Sequence, residues 1–159
     1  MVTSRRGFLL ITALLISVVL LLLGMGFLGS QADRYRGVKR AGETTQARAL
    51  AMAGLEDARL KIQNDLRFPP PMAAGQSTFS YGETLQVGDP PQRLDGNYAV
   101  VIETAYRNDV NFEVLLITST GSLGDPNSPT AQYQIKAEMS MKAGPTFCHY
   151  THLEDQTAP

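Results

Sequence analysis

Disulfide chemistry is the first thing this chain does without. Its 159 residues include one cysteine, Cys148, so no internal bridge can form. That fits a reducing compartment, or an exported protein that does without cross-links. Histidine is nearly as scarce: the two that occur, His149 and His152, stand beside Cys148. There is no Gly-rich phosphate loop, and no serine, cysteine or carboxylate pair has a base placed by sequence to activate it, so the pattern is that of a non-enzyme with no cofactor. An excess of one charge is missing too, because 14 Lys+Arg against 15 Asp+Glu leave a net charge of -1. The two signs are unevenly spread: residues 1–66 hold nine basic and five acidic side chains, whereas residues 67–159 hold five and ten. Nucleic-acid binding needs a basic patch on the folded part, and the acidic half is the part that looks globular, so no nucleic-acid partner is expected. Proline is absent from Ser30 to Leu66, which leaves nothing there to stop a helix.

The chain does possess one long hydrophobic run. Gly7 to Gly29 reads GFLLITALLISVVLLLLGMGFLG, uncharged throughout and placed directly after Arg5 and Arg6. About 20 apolar residues cross the roughly 30 Å hydrocarbon core of a bilayer as a helix, and this run supplies them with only the hydroxyls of Thr12 and Ser17 to hide. A cleaved secretory signal, a plain single-pass anchor and a leader cut at the edge of the run are the competing readings. The run exceeds the roughly 7 to 15 residues of a signal h-region, although Ser30-Gln31-Ala32 offers small residues at cleavage-like spacing.

Past the run, Ala47, Ala51, Leu55, Ala58, Ile62 and Leu66 recur at steps of three or four, an apolar stripe on which a sheet could pack. Arg48, Glu56, Arg59 and Lys61 lie elsewhere on that helix as a solvated face, with Glu56 to Arg59 and Asp57 to Lys61 at pairing distance. Gly24, Gly26, Gly29, Gly37 and Gly42 are the weak points, each costing about 1 kcal/mol relative to Ala, and bending or melting is expected there. Phe68 to Gln76, FPPPMAAGQ, ends the helix, placing its last residue near Leu66. Strands follow at Thr78 to Val87, Asn97 to Tyr106, Phe112 to Thr120 and Tyr133 to Lys142. In the last of these Tyr133, Ile135, Ala137, Met139 and Met141 alternate with polar neighbours, which predicts one buried face and one wet face. The connections GDPPQRLDG, RNDVN and GSLGDPNSPT are short and turn-like, which favours an antiparallel meander. The expected fold class is α+β: a long amino-terminal transmembrane-plus-stalk helix packed on a small antiparallel sheet of about four strands. About 90 residues beyond the stalk suffice for one small domain.

Arg5-Arg6-Gly7-Phe8 followed by the apolar run resembles the prepilin peptidase site of type IV pilins and type II secretion pseudopilins, over residues 5 to about 66. The resemblance implies a pilin-like fold, cleavage between Gly7 and Phe8, and N-methylation of Phe8. It divides the chain into a leader at 1–7, a transmembrane or filament-core helix at 8–29, an amphipathic stalk at 30–66, a sheet head domain at 67–145 and a tail at 146–159. Most major pilins carry glutamate at the fifth mature position, where this chain has Thr12. A carboxylate in hydrocarbon costs several kcal/mol unless paired, so its absence removes the demand for a charged partner. In lacking it the chain resembles PilX-like minor pilins and K-type pseudopilins, and Ala51-Met52-Ala53-Gly54-Leu55-Glu56 is similar to the AEAGLE segment of that group, with Met52 departing from it. That hexapeptide reads equally well as ordinary helix packing.

The implied function is a structural subunit, minor, tip or priming, of a type IV pilus or type II secretion pseudopilus. Its implied partners are other pilin or pseudopilin subunits, prepilin peptidase, an inner-membrane assembly platform and, before assembly, the lipid bilayer. The implied location is the bacterial inner membrane, single-pass with the head outside the cytoplasm, and then an extracytoplasmic filament. Small residues Ala13, Gly24, Gly26 and Gly29 permit close helix approach in such a bundle. The alternative is a single-pass membrane-anchored binding or sensory domain. Counting basic residues beside the span favours it, since Arg34, Arg36, Lys39 and Arg40 after the run outnumber Arg5 and Arg6 before it, which by the positive-inside rule keeps the head in the cytoplasm. Two weaker patterns remain. Cys148, His149, His152, Glu154 and Asp155 are ligand types without an established metal spacing, and Asn108, Asp109 and Asn111, or Asp125 and Asn127, are turn formers of the kind that also hold calcium; no metal site is expected.

Overall fold

The computed structural model describes residues 4–73, 75–87, 94–108, 112–125, 127–145 and 147–156. One helix, α1 (Ser4–Asn64), is followed by five strands, β1 (Thr78–Val87), β2 (Leu94–Glu103), β3 (Val114–Asp125), β4 (Ser128–Ser140) and β5 (Tyr150–Gln156). The contacts separate the chain into two compact units, Met1–Ala41 and Gly42–Pro159.

In the first unit the backbone is helical from Ser4 onward, as expected of a leucine-rich stretch with no proline. The glycines at which bending or melting is expected do not interrupt the helix: α1 continues through Gly24, Gly26, Gly29 and Gly37. Each keeps its place in the i to i-4 ladder, and an unpaired backbone group costs more than the propensity penalty of a glycine. Thr12 excepted, every described side chain from Phe8 to Gly42 is exposed.

The second unit is a helix-on-sheet sandwich. The five strands form one antiparallel sheet in the order β1-β2-β3-β4-β5, a meander in which each strand pairs with the next in sequence. One row runs unbroken across it, Phe79 opposite Ile102, Ile102 opposite Ile117, Ile117 opposite Ala137 and Ala137 opposite Leu153. Ile102, Ile117 and Ala137 are buried beneath α1, whose contribution is Ala47, Leu50, Ala51, Leu55, Ala58 and Ile62. The predicted stripe is therefore the packing face, with Leu50 added and Leu66 lost. Leu66 is exposed and outside the helix, because the chain turns at Asp65: the Phe68 amide donates to the Asp65 carbonyl at 2.9 Å and the Arg67 amide to its carboxylate at 2.9 Å.

Small residues set how closely helix and sheet approach. Gly121 of β3 pairs with Tyr98 on one side and Tyr133 on the other, so the row reads Tyr98–Gly121–Tyr133 with a gap at its centre. The Ala47–Ala51 backbone of α1 lies in that gap, and a Cβ on Gly121 would collide with the Ala47 carbonyl oxygen and the Ala51 nitrogen. One turn further along α1, a Cβ on Gly54 would fall 2.6 Å from Ser119 Oγ and 2.7 Å from the Tyr98 ring. Gly54 belongs to the Ala51–Glu56 hexapeptide, which here packs the helix on the sheet.

Two segments differ from expectation. The stretch read as the connection GSLGDPNSPT is the end of a hairpin, since β3 runs to Asp125 and β4 starts at Ser128. The stretch read as a tail contains β5, which pairs with β4 from Gln134 opposite Gln156 to Met139 opposite Tyr150, so the sheet has five strands rather than about four. Met141, expected to face the core as part of β4, lies just beyond that strand and packs against the core half-buried.

Candidate functional site

The residues expected to be processed lie in the first turns of α1. Gly7 is helical, and Phe8 is 68% exposed. Thr12 sits one turn after Phe8 on the same side, and its hydroxyl donates to the Phe8 carbonyl at 3.1 Å. That bond hides the hydroxyl without a partner helix, which is how a threonine is tolerated in an apolar span. From Leu10 to Leu28 the large apolar side chains are nearly all half or more exposed, and α1 is long and apolar enough to cross a bilayer once. An apolar surface of this extent does not remain in water; it requires lipid or other helices.

Along the shoulders of the packed half of α1 the charged residues do form the spaced pairs, but they do not simply face solvent. Arg59 contacts Glu56 at 3.2 Å and Lys61 contacts Asp57 at 2.7 Å, and both cations also reach over tyrosine rings of the sheet. Lys61 lies 4.0 Å from the Tyr81 centroid and 3.3 Å from Glu83, tying β1 to the helix. On the other shoulder Arg48 bonds Asp155 of β5 at 2.8 Å and sits 5.8 Å from the Tyr133 centroid. Tyr150 closes that side by donating its hydroxyl to the Leu55 carbonyl at 3.1 Å. Both outer strands are thus strapped to α1 by a charge and a ring.

The titrations follow from these contacts. Burial by itself would raise Asp57, but hydrogen bonding and charge from Lys61, with Tyr81 beside it, hold the carboxyl below its ordinary value. Burial opposes the charge on Lys61 also, and Asp57 and Glu83 outweigh it and raise the ammonium. Tyr81 and Tyr98 are pushed up by burial first and then by the neighbouring carboxylates Asp57 and Glu83. The Tyr81 hydroxyl is buried close to Asp57 without completing a hydrogen bond of normal geometry, and its interaction with that carboxylate adds to the effect of burial. Tyr150 is likewise pushed up by burial, then by Glu56. The cluster has no nucleophile–base couple in bonding geometry, and what it does is fasten the edges of the sheet.

The ligand types near the carboxyl end are separated by the strand they sit on. Cys148 is buried against the core with φ 55°, and burial pushes its thiol up against the opposing charge of Arg59. His149 Nδ1 is 3.0 Å from the Phe147 carbonyl oxygen, Asp155 is taken by Arg48, and His152 lies opposite Glu138 in the sheet register. Among the described residues no three His, Cys, Asp or Glu side chains gather at one point. Of the calcium-type candidates, Asp125 accepts the Asn127 amide at 2.8 Å as part of the hairpin turn, Asn108 is exposed, and Asp109 and Asn111 lie outside the described residues.

Three features were not read from the sequence. Arg107 reaches back to donate to the Leu66 carbonyl and, at 3.2 Å, to the Phe68 carbonyl, holding the chain where it leaves the helix. Tyr106 and Phe112 stack edge to face at 6.2 Å, both largely exposed, beside a depression also lined by Val114, Leu116 and Glu138. The third is the set of rings under Arg48, Arg59 and Lys61, which alternation in the strands could have revealed had tyrosine been counted among the inward residues.

Together these features define an α+β protein with a membrane-capable amino-terminal helix whose carboxyl-side portion packs on a five-stranded antiparallel sheet. No family model, curated protein or solved structure matches the chain.

Proposed function

We propose that this chain is a structural subunit of a type IV pilus or type II secretion pseudopilus, cut by prepilin peptidase between Gly7 and Phe8 and occupying a minor, tip or priming position. The observation that supports it best is one helix serving two purposes: its amino-terminal part presents an exposed apolar surface directly after Arg5-Arg6-Gly7-Phe8, and its carboxyl-side part is packed on an antiparallel sheet. The subunit rests in the inner membrane with its head outside the cytoplasm and is then drawn into a bundle of like helices. Lipid tails and leucine-rich helices are similarly apolar, so the exchange of one for the other changes the free energy little, and an assembly ATPase in the platform can drive it. Thr12 in place of glutamate supports a position outside the filament shaft, since a threonine bonded to Phe8 makes no charge demand on its neighbour. No reaction is assigned to the chain.

Amino-terminal sequencing tests the reading. A mature chain that begins at N-methylated Phe8, only when prepilin peptidase is present, is the expected result; an intact Met1 or a start at Asp33 overturns it. The basic residues Arg34, Arg36, Lys39 and Arg40 favour a second reading, a membrane-tethered binding or sensory domain with its head in the cytoplasm. Protease added to spheroplasts separates the two: the pilin reading requires the head to be digested, and a protected head requires the tether.

A further inference from the structure

The face of the sheet turned away from α1 has no covering element among the described residues. At one end of it Tyr106, Phe112, Val114, Leu116 and Glu138 line a depression of about 330 Å³. Phe112 is 57% exposed, and Leu116 stands between Glu103 and Glu138 on the neighbouring strands. The depression is therefore apolar at its floor, with Glu138 in its lining and Glu103 on the strand beyond Leu116. On the same face Lys136 stands opposite Glu154, and His152 opposite Glu138, in the sheet register.

Charge is divided sharply between the two units. Residues 42–159 hold eight Lys/Arg and fourteen Asp/Glu, whereas residues 1–41 hold six Lys/Arg and one Asp. Four of those six basic residues are Arg34, Arg36, Lys39 and Arg40, and among them Tyr35 and Val38 are 74% and 73% exposed. Positions three apart share a helix face, so Tyr35 and Val38 form a small apolar ridge bordered by guanidinium and ammonium groups. Its chemistry mirrors that of the depression, apolar against apolar and basic against acidic.

We infer that the depression at Tyr106 and Phe112 receives the Arg34–Arg40 stretch of a second copy of this chain. Tyr35 enters against the aromatic pair, and the flanking cations meet Glu103 and Glu138. Opposite potentials steer the encounter and fix its register, while the ring contact supplies the apolar burial. The contact is heterologous: the stretch of one copy and the depression of another are different surfaces, so a copy that gives its stretch can also receive one, and the interaction can repeat from copy to copy. This deepens the filament reading but does not depend on it, because the stretch and the depression lie on the same side of the membrane under both functional readings.

Mixing two detergent-solubilised full-length variants, Tyr35→Cys and Phe112→Cys, under mild oxidation tests the contact. Cys148 is present in both and buried, and the parent chain is the background control. With the two variants in equal amounts, the disulfide joining them is expected to exceed the random share of about twice either self-product, to fall to that share with Glu138→Lys in the acceptor chain, and to recover when Arg36→Glu is placed in the donor chain. Glu103→Lys provides an independent reversal should Glu138→Lys lower the thermal midpoint. A crossed product at or below about twice either self-product, or one indifferent to both reversals, overturns the proposal. A crossed product above the random share from chains that prepilin peptidase never cuts keeps the contact and removes the filament role; correct processing with only the random share does the reverse.

Discussion

Gly121→Ala tests the helix–sheet seat by the sign of its effect. In a strand with space above it, alanine is preferred to glycine by roughly 0.5–1 kcal/mol, because glycine loses more backbone freedom on folding. At Gly121 the added methyl group meets backbone on α1, the Ala47 carbonyl and the Ala51 amide, with Leu50 Cβ at 2.9 Å. Backbone in a regular helix cannot swing aside as a long side chain would, so α1 must lift from the sheet and loosen the packing of Leu55 and Ala58. Overpacking of this kind costs about 1–3 kcal/mol, and the top of that range applies where the obstacle is main chain. For a folded unit of this size, about 3 kcal/mol lowers the thermal midpoint by roughly 10 °C. The measurement is circular dichroism on the full chain in detergent, followed through the sheet transition. Gly37→Ala is the matched control: it too adds one methyl group, but nothing lies within 4 Å, and it is expected to strengthen its helix by about 1 kcal/mol without moving the sheet transition. A Gly121→Ala midpoint within about 2 °C of the parent, or above it, refutes the close-approach argument.

Other outcomes follow from the same contacts. Leu55→Ala removes a fully buried side chain at the centre of the helix–sheet core and is expected to cost about 2–5 kcal/mol in chemical denaturation, whereas Leu66→Ala, at an exposed position, stays within about 0.5 kcal/mol. Arg48→Ala breaks an ion pair whose side chains are 54% and 37% exposed, so screening limits the Coulombic loss to at most about 1 kcal/mol, a value to be checked in low and high salt. Alkaline titration should weaken the fold from about pH 10 upward: Tyr81, Tyr98, Tyr150 and Lys61 all bind their protons more tightly folded than unfolded, so stability present below their ordinary values is lost as pH rises through the raised ones. Tyr81→Phe should flatten that fall, and an unchanged slope counts against the cluster. Asp57 has the opposite sign; its lowered carboxyl contributes above the ordinary value of 3.8 and loses its contribution as pH drops below it, so Asp57→Asn should flatten the acid limb.

Periodicity made the central elements legible. The stripe from Ala47 to Ile62 and the alternation from Tyr133 to Met139 each repeat at the period of the structure they adopt, and burial follows them. The reading of Gly7, Phe8 and Thr12 rests on local residue order alone, since tertiary packing does not mark a processing site. The charges of β5 hid it: Tyr150–Gln156 contains His152, Glu154 and Asp155, a composition that reads as a tail. An outer strand needs little apolar surface, and charge there discourages edge-to-edge pairing, so the polarity that disguised it suits its position. Gly121 was misleading in a different way. Beside Gly124 and Asp125 it looked like turn chemistry, yet its use is to admit a helix backbone, a demand made by an element distant in sequence. The depression at Tyr106 and Phe112 could not be found from any window, because its walls come from a loop and two strands.

The seat of Gly121 against Ala47 and Ala51 also governs how the head bears a load. Side-chain packing yields gradually, one rotamer after another, but main chain lodged between two tyrosines acts as a key in a slot. A pull along α1 therefore reaches β3, the middle strand, directly, and the neighbouring strands share it through their ladders. With Lys61 and Arg48 strapping the outer strands to the same helix, a load on α1 is spread over the sheet and not concentrated on one edge.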